Sequence, residues 1–130
     1  MNLRYVDIDQ ACQIHEAIIK RSGSIALVRD FSLLHSAIER PKATFDGQDM
    51  YTTVFYKAAA LLQSICLNHP FTDGNKRTAW ALAHKFLWDN GYHLKASKNE
   101  AVKFMTNLDN IKTELSDLAS WLKSHSRKLL

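Results

Sequence analysis

The sequence predicts an all-α protein, on three observations. Apolar residues recur at the i, i+3, i+4 spacing of an amphipathic helix in six stretches. The two prolines and four glycines fall between those stretches, never inside them. Strict apolar–polar alternation, the mark of a strand, is absent except for a short pair near Phe45.

The first helix is expected from about Asp7 to Arg21, with Ile8, Ala11, Cys12, Ile14, Ala17, Ile18 and Ile19 on its apolar face and "RSGS" as its end. After the loop "SGSIALVR", "DFSLLHSAIER" reads as a short helix with Asp30 as N-cap and Pro41 as stop. "PKATFDGQDMY" carries Pro and Asp-Gly without a helical period and is expected as a turn or small hairpin. A long third helix runs from about Tyr51 to Asn68, with Val54, Phe55, Ala58, Leu61, Leu62 and Ile65 on one face. The fourth spans about Asn75 to Asn90, and Gly91 stands where a left-handed C-terminal cap belongs. Ser97 and Glu100 form a capping box that opens a fifth. "TELSDLASWLKSHSRK" reads as a sixth helix throughout, with Leu115, Leu118, Ala119 and Leu122 inward and a basic end that suits the dipole.

A chain of 130 residues that is 46% hydrophobic suits one domain, residues 1–130, with one core and no staples. Cys12 and Cys66 sit in apolar helical patterns and form no CxxC pair, so they are expected reduced and buried, without zinc or a redox dithiol. "MNLRYVDIDQ" lacks the pattern of a signal peptide and no apolar run approaches a membrane span, so a cytoplasmic protein is expected. A net charge of +4 permits an anionic partner without demanding one.

The chemistry is concentrated in "NHPFTDGNKRTAW", residues 68–80, at the junction of the third and fourth helices. Pro70 stops the third helix soon after His69. Gly74 lets backbone N–H groups approach a ligand, and the free N–H groups and positive dipole end of the fourth helix make an anion site. Lys76 and Arg77 stand with Asn75 on its first turn, where the dipole disfavours cations, so the pair points to an anionic ligand. Asp73 reads equally as an N-cap or as a carboxylate that holds Mg²⁺ beside phosphates. His69 reads as a C-cap or as a general base for a hydroxyl, and Phe71 as an inward anchor of the turn. Singly each residue has a structural role, but together they match the parts of a phosphotransfer site. The other histidines, His15, His35, His93 and His125, lack partners at metal spacing and are expected on the surface or in packing; Trp80, Trp88 and Trp121 are expected in the core.

"HPFTDGNKR" resembles the signature of the Fic superfamily, His-x-Phe-x-Asp/Glu-Gly-Asn-x-Arg, and Lys76 with Thr78-Ala79 makes it similar to the death-on-curing (Doc) toxin branch. The likeness extends from Leu33 to Leu94 and into "IHEAIIKRSG"; the last two helices are less diagnostic. The resemblance implies a compact helical Fic fold, with His69 as base, Asp73 as Mg²⁺ ligand, Gly74 and Asn75 lining a phosphate cradle, and Lys76 and Arg77 holding the phosphates of ATP. It implies that residues 42–50 form a flap that docks an extended segment of a target protein by strand-like pairing. Typical AMP-transferring members have Gly at the position of Lys76 and a second Arg at that of Trp80; the Doc-like pattern implies reversed ATP and transfer of its γ-phosphate. The implied target is a threonine of elongation factor Tu, with arrest of translation as the outcome. No Glu is followed by Gly or Asn, so no self-inhibitory motif is visible and a small Phd-like antitoxin is the expected partner, with neither nucleic acid nor membrane as a direct one. Two rivals remain. An AMP-transferase would share every site residue, and Arg77 with His84 approximates the Arg-x(4–6)-His pattern of HEPN ribonuclease toxins.

Overall fold

A computed structural model describes residues 2–110 and 113–130. The elements run in the order α1 (Ile8–Arg21), α2 (Phe31–Glu39), a 3₁₀ turn (Arg40–Lys42), β1 (Thr44–Phe45), β2 (Gln48–Asp49), α3 (Val54–Asn68), α4 (Asn75–Asp89), β3 (Tyr92–Leu94), α5 (Lys98–Asn110), α6 (Leu115–Ser124) and β4 (Ser126–Lys128). The all-α expectation holds: among the described residues six α-helices carry the fold, and the strands form two small antiparallel pairs. No described helix is long and apolar enough to cross a membrane.

Helix α3 is the axis, packing against α2, α4, α5 and α6. Its run Lys57–Leu62 is buried on every side and is apolar all round except for Lys57. Three consecutive alanines, Ala58 to Ala60, let the neighbouring backbones approach closely. Leu61, Leu62 and Ile65 of α3 join Leu34 and Ile38 of α2, Leu82 and Phe86 of α4, and Leu118 and Leu122 of α6 in the core. Each such side chain contributes about 1.5–3 kcal/mol on burial. Helix α1 lies across α4 and α2, with Ala11 and Ile19 fully buried.

The helix ends follow local side-chain chemistry. Asp7 and Gln10 form a reciprocal capping box at α1, and Asp30 accepts from the Leu33 N–H at α2. Thr53 accepts from the Tyr56 N–H, so α3 begins at Val54 rather than at Tyr51. Ser97 and Glu100 exchange the expected pair of bonds ahead of α5. The segment after Pro41 is the expected hairpin, with Thr44 opposite Asp49 and Phe45 opposite Gln48. Its root is fastened to α3 by two cations. Arg40 reaches Tyr51, Gln63, Ser64 and the Ala60 carbonyl, and Lys57, 1% exposed, donates to the Pro41 carbonyl and pairs with Asp49 at 3.0 Å.

Three expectations are corrected. The sixth helix does not run to Lys128: it stops at Ser124, and Ser126–Lys128 pairs with Tyr92–Leu94. The His125 ring and the Ser126 hydroxyl occupy the Trp121 and Leu122 carbonyls, closing the helix with side chains. The basic residues Arg127 and Lys128 therefore lie on a strand and not at a helix end. Trp88 is not core: it is half exposed, beside His84 and His93. Cys66 is buried as expected, whereas Cys12 is only partly so; both are free thiols. Trp80 and Trp121 are partly buried and meet edge to face, with Phe104 stacked on Trp121 at 3.9 Å.

Candidate active site

Residues 69–74 join α3 to α4, and several backbone groups in this turn are held from distant parts of the chain. The residue before Pro70 is barred from continuing the helix. His69 accordingly takes the left-handed conformation (φ +50°, ψ +58°) as C-cap of α3, at a cost of about 1 kcal/mol or more. Arg29 offsets that cost. Its Nε donates to the His69 carbonyl at 2.7 Å and its Nη2 to the Asn68 carbonyl at 2.8 Å, closing the open end of α3. The Pro70 carbonyl accepts from the Arg29 and Asp30 N–H groups, Thr72 N–H donates to the Leu27 carbonyl, and Val28 bridges to Phe71.

From beneath, Phe71 is fully buried and lies flat on the His15 ring, 3.7 Å between centroids. Nε2 of His15 donates to the Asp73 carbonyl at 2.8 Å, which fixes the protonated nitrogen of a buried histidine. The Asn75 amide turns inward, accepting from Phe71 N–H at 3.0 Å and donating to the Phe71 carbonyl at 2.9 Å. Gly74 adopts φ +76°, and a Cβ there would fall 2.7 Å from Ile19 Cδ1, so this glycine seats the start of α4 directly on α1.

The groups left over face outward. The His69 and Asp73 side chains are exposed on the same turn. Asp73 Oδ1 accepts from Gly74 N–H at 2.8 Å, and the residue does not cap α4, which begins from Gly74 without a side-chain cap. The N–H groups of Asn75, Lys76 and Arg77 precede the first i−4 acceptor of the helix and sit at its positive dipole end. What Asn75 can give an anion is its backbone N–H, since its side chain is used within the turn.

The two cations differ from expectation in where they point. Lys76 Nζ meets Asp109 of α5 at 2.6 Å, and this contact holds its ammonium above the ordinary lysine value. Arg77 Nη1 donates to the Ser22 hydroxyl at 2.8 Å, beyond the end of α1. Lys76, Arg77 and Trp80 also line a mainly apolar groove of about 510 Å³ between α1, α4 and α5, with Ile18, Val102 and Met105 on its other walls. Among the described residues no three His, Cys, Asp or Glu side chains stand together as a metal cluster. Asp73 thus belongs to no such cluster, and a carboxylate in that setting suits Mg²⁺ completed by phosphate oxygens and water rather than a dedicated cage.

His69, Asp73, Gly74 and Asn75 are therefore brought together as the spacing predicts. Arg77 and His84 are not. They lie two turns apart on α4, about 10 Å along its axis, and His84 packs with Trp88 and His93. Burial, and then the neighbouring His93, hold His84 below the usual histidine value. Arg29, His15, Ser22 and Asp109 were not foreseen. Their partners lie far away in the sequence, up to 58 residues for His15 and Asp73, and no local pattern marks them.

A helical bundle with this turn at the start of its fourth helix defines a class: residues 5–87 match the Fic/DOC family model, and the chain belongs to the Fic/DOC family. The match ends within α4, before α5 and α6. Within the family the chain is similar to the Toxin Doc of Mycolicibacterium smegmatis, 45% identical over 113 residues that cover 76% of this chain and 87% of that protein. It is also similar to the Protein kinase doc of Escherichia phage P1, 30% identical over 89 residues, 68% of this chain and 70% of that protein.

Proposed function

We propose that this chain is a Doc-like toxin that moves the γ-phosphate of ATP to a Ser or Thr hydroxyl of a protein, and that a small antitoxin restrains it. One observation carries the reading. The turn's backbone is satisfied internally by Arg29, His15 and Asn75, which leaves an exposed histidine, an exposed carboxylate and a helix N-terminus free for a ligand.

The chemistry follows from those groups. The N–H groups of residues 75–77 and the Arg77 guanidinium would bind the phosphates. Asp73 would hold Mg²⁺, which when bound offsets phosphate charge. His69 would accept the proton of the target hydroxyl as its oxygen bonds to the γ-phosphorus, while the bond to the β–γ bridging oxygen breaks and ADP leaves. The Thr44–Asp49 hairpin offers short, exposed strands to which an extended target segment can add. The apolar groove between α1, α4 and α5 is suited to an amphipathic helix of the antitoxin. The names of the two relatives, a toxin and a protein kinase, support the same assignment. Elongation factor Tu is the first target to test, and the cytoplasm is the compartment in which such a target is met.

AMP transfer is the second reading, favoured by one observation: Lys76 turns to Asp109 instead of filling the cradle. The test is a pair of incubations with Mg²⁺ and elongation factor Tu, one with ATP labelled at the γ-phosphate and one at the α-phosphate. Label from γ only, lost in His69→Ala, is the expected result. Label from α only replaces phosphotransfer by AMP transfer, and label from neither removes this target.

A further inference from the structure

We infer that Asp109 is a rival ligand for Lys76, holding its ammonium off the phosphate site until a polyphosphate takes it. This rests on the reading of the α4 N-terminus as the phosphate site.

Lys76 is the second residue of α4, where its charge opposes the helix dipole and adjoins that of Arg77. The two neighbours are treated differently by the fold. Arg77 meets a neutral hydroxyl and keeps its charge for another partner. Lys76 meets a carboxylate, which cancels it. That carboxylate is itself oriented. Its second oxygen faces the Sγ of Cys66 in α3 at 3.7 Å. Burial, and then Asp109 itself, push the Cys66 thiol up to about 11, so it remains a protonated donor at neutral pH. Asp109 is thus held from α3 while its partner hangs on a flexible four-carbon stem.

The contact is built to be broken. The Lys76 and Asp109 side chains are 44% and 26% exposed, and an ion pair of that exposure is worth at most about a fivefold factor in an equilibrium. A triphosphate offers several negative oxygens beside the same helix end and outcompetes one carboxylate. The start of α4 therefore presents one uncancelled cation at rest and two when loaded.

The test is a cycle of affinities for inorganic triphosphate and for Mg–ATP, measured by calorimetry on wild type, Asp109→Asn, Lys76→Met and the double variant. Asp109→Asn is expected to bind triphosphate about three- to fivefold more tightly, Lys76→Met more weakly, and the double variant like Lys76→Met alone. Asp109→Ser, which also lacks the charge, is expected to repeat the gain, so a folding failure of one variant leaves the test intact. A gain that persists without Lys76, or no gain at all, overturns the rivalry. Mg–ATP binding that ignores Asp109 overturns the rivalry and leaves phosphotransfer standing. Triphosphate binding with the Lys76-dependent gain but no ATP binding supports the rivalry and removes ATP. No binding of either probe overturns both.

Discussion

Two pairs of cations, Arg40 with Lys57 and Lys76 with Arg77, are used by the fold in opposite ways. At the hairpin root, Lys57 is buried and Arg40 half-buried, and both are held by several protein oxygens: Tyr51, Ala60, Gln63 and Ser64 for Arg40, Pro41 and Asp49 for Lys57. At the start of α4, Lys76 and Arg77 each make one such contact and face solvent at a helix end that repels them. A cation with several protein partners holds structure together. A cation left under-matched in an unfavourable field is, under the proposed function, the one that meets an anion from outside. Only the second kind breaks a local rule, and so only the second kind could be noticed in the sequence.

The largest effect on stability is expected at the hairpin root. Asp49→Ala strands the Lys57 charge in the interior and should cost about 2 kcal/mol, less than a wholly buried pair because Asp49 is half solvated. Lys57→Met removes the charge with its burden and should cost about 1 kcal/mol, for the Pro41 carbonyl left without its donor. Urea titration of both variants checks the order; if Lys57→Met is the worse of the two, charge is not what the site is built around. Next, Gly74→Ala forces a Cβ against Ile19 at a left-handed φ and should cost about 1–2 kcal/mol, with a loss of ATP affinity as α4 is pushed off α1.

A smaller effect is expected from pH. The fold favours the neutral form of His84, so the unfolded chain takes up the proton first as pH falls below the ordinary histidine value of 6.5. Stability should therefore decline on acidification from that point, with the loss complete once the folded ring protonates. Melting temperatures of wild type and His84→Phe between pH 7.5 and 5 should converge or cross if this ring is the cause. Smallest of all is the change in stability for Arg77→Ala, within about 0.5 kcal/mol since the side chain is exposed with one neutral partner. Its Mg–ATP affinity should nonetheless fall at least tenfold, through loss of a charge-assisted phosphate contact. A large stability loss there would erase the contrast between the two pairs.

What was legible in the sequence was what is decided locally. Asp30, Ser97 and Glu100 cap helices through bonds three residues long, and the positions of Pro41 and Pro70 mark where helices stop. Residue types at fixed spacing were enough to collect His69, Asp73, Gly74 and Asn75 on one turn. What was hidden depends on partners far along the chain. β4 looks like a continued helix until Tyr92–Leu94 is beside it, and Trp88 looks like core until α4 is seen to turn that side outward. The direction of the Lys76 side chain is set by Asp109 on another helix, 33 residues away, and no spacing rule on α4 contains that information.

The bond from Arg29 to the His69 carbonyl has a consequence for how the molecule comes into being. It closes a loop of 40 residues, and the bond from His15 to Asp73 closes one of 58. Closure of such loops costs entropy before any contact is gained, so the geometry around His69 cannot precede the docking of the first two helices. A nascent chain that has emerged only as far as His69 has its histidine and Arg29 but not the Asp73 carbonyl and the Asn75 amide that complete the turn. The conformation of this turn is thus a property of helices already docked on one another, which ties its formation to the folding of the chain around it.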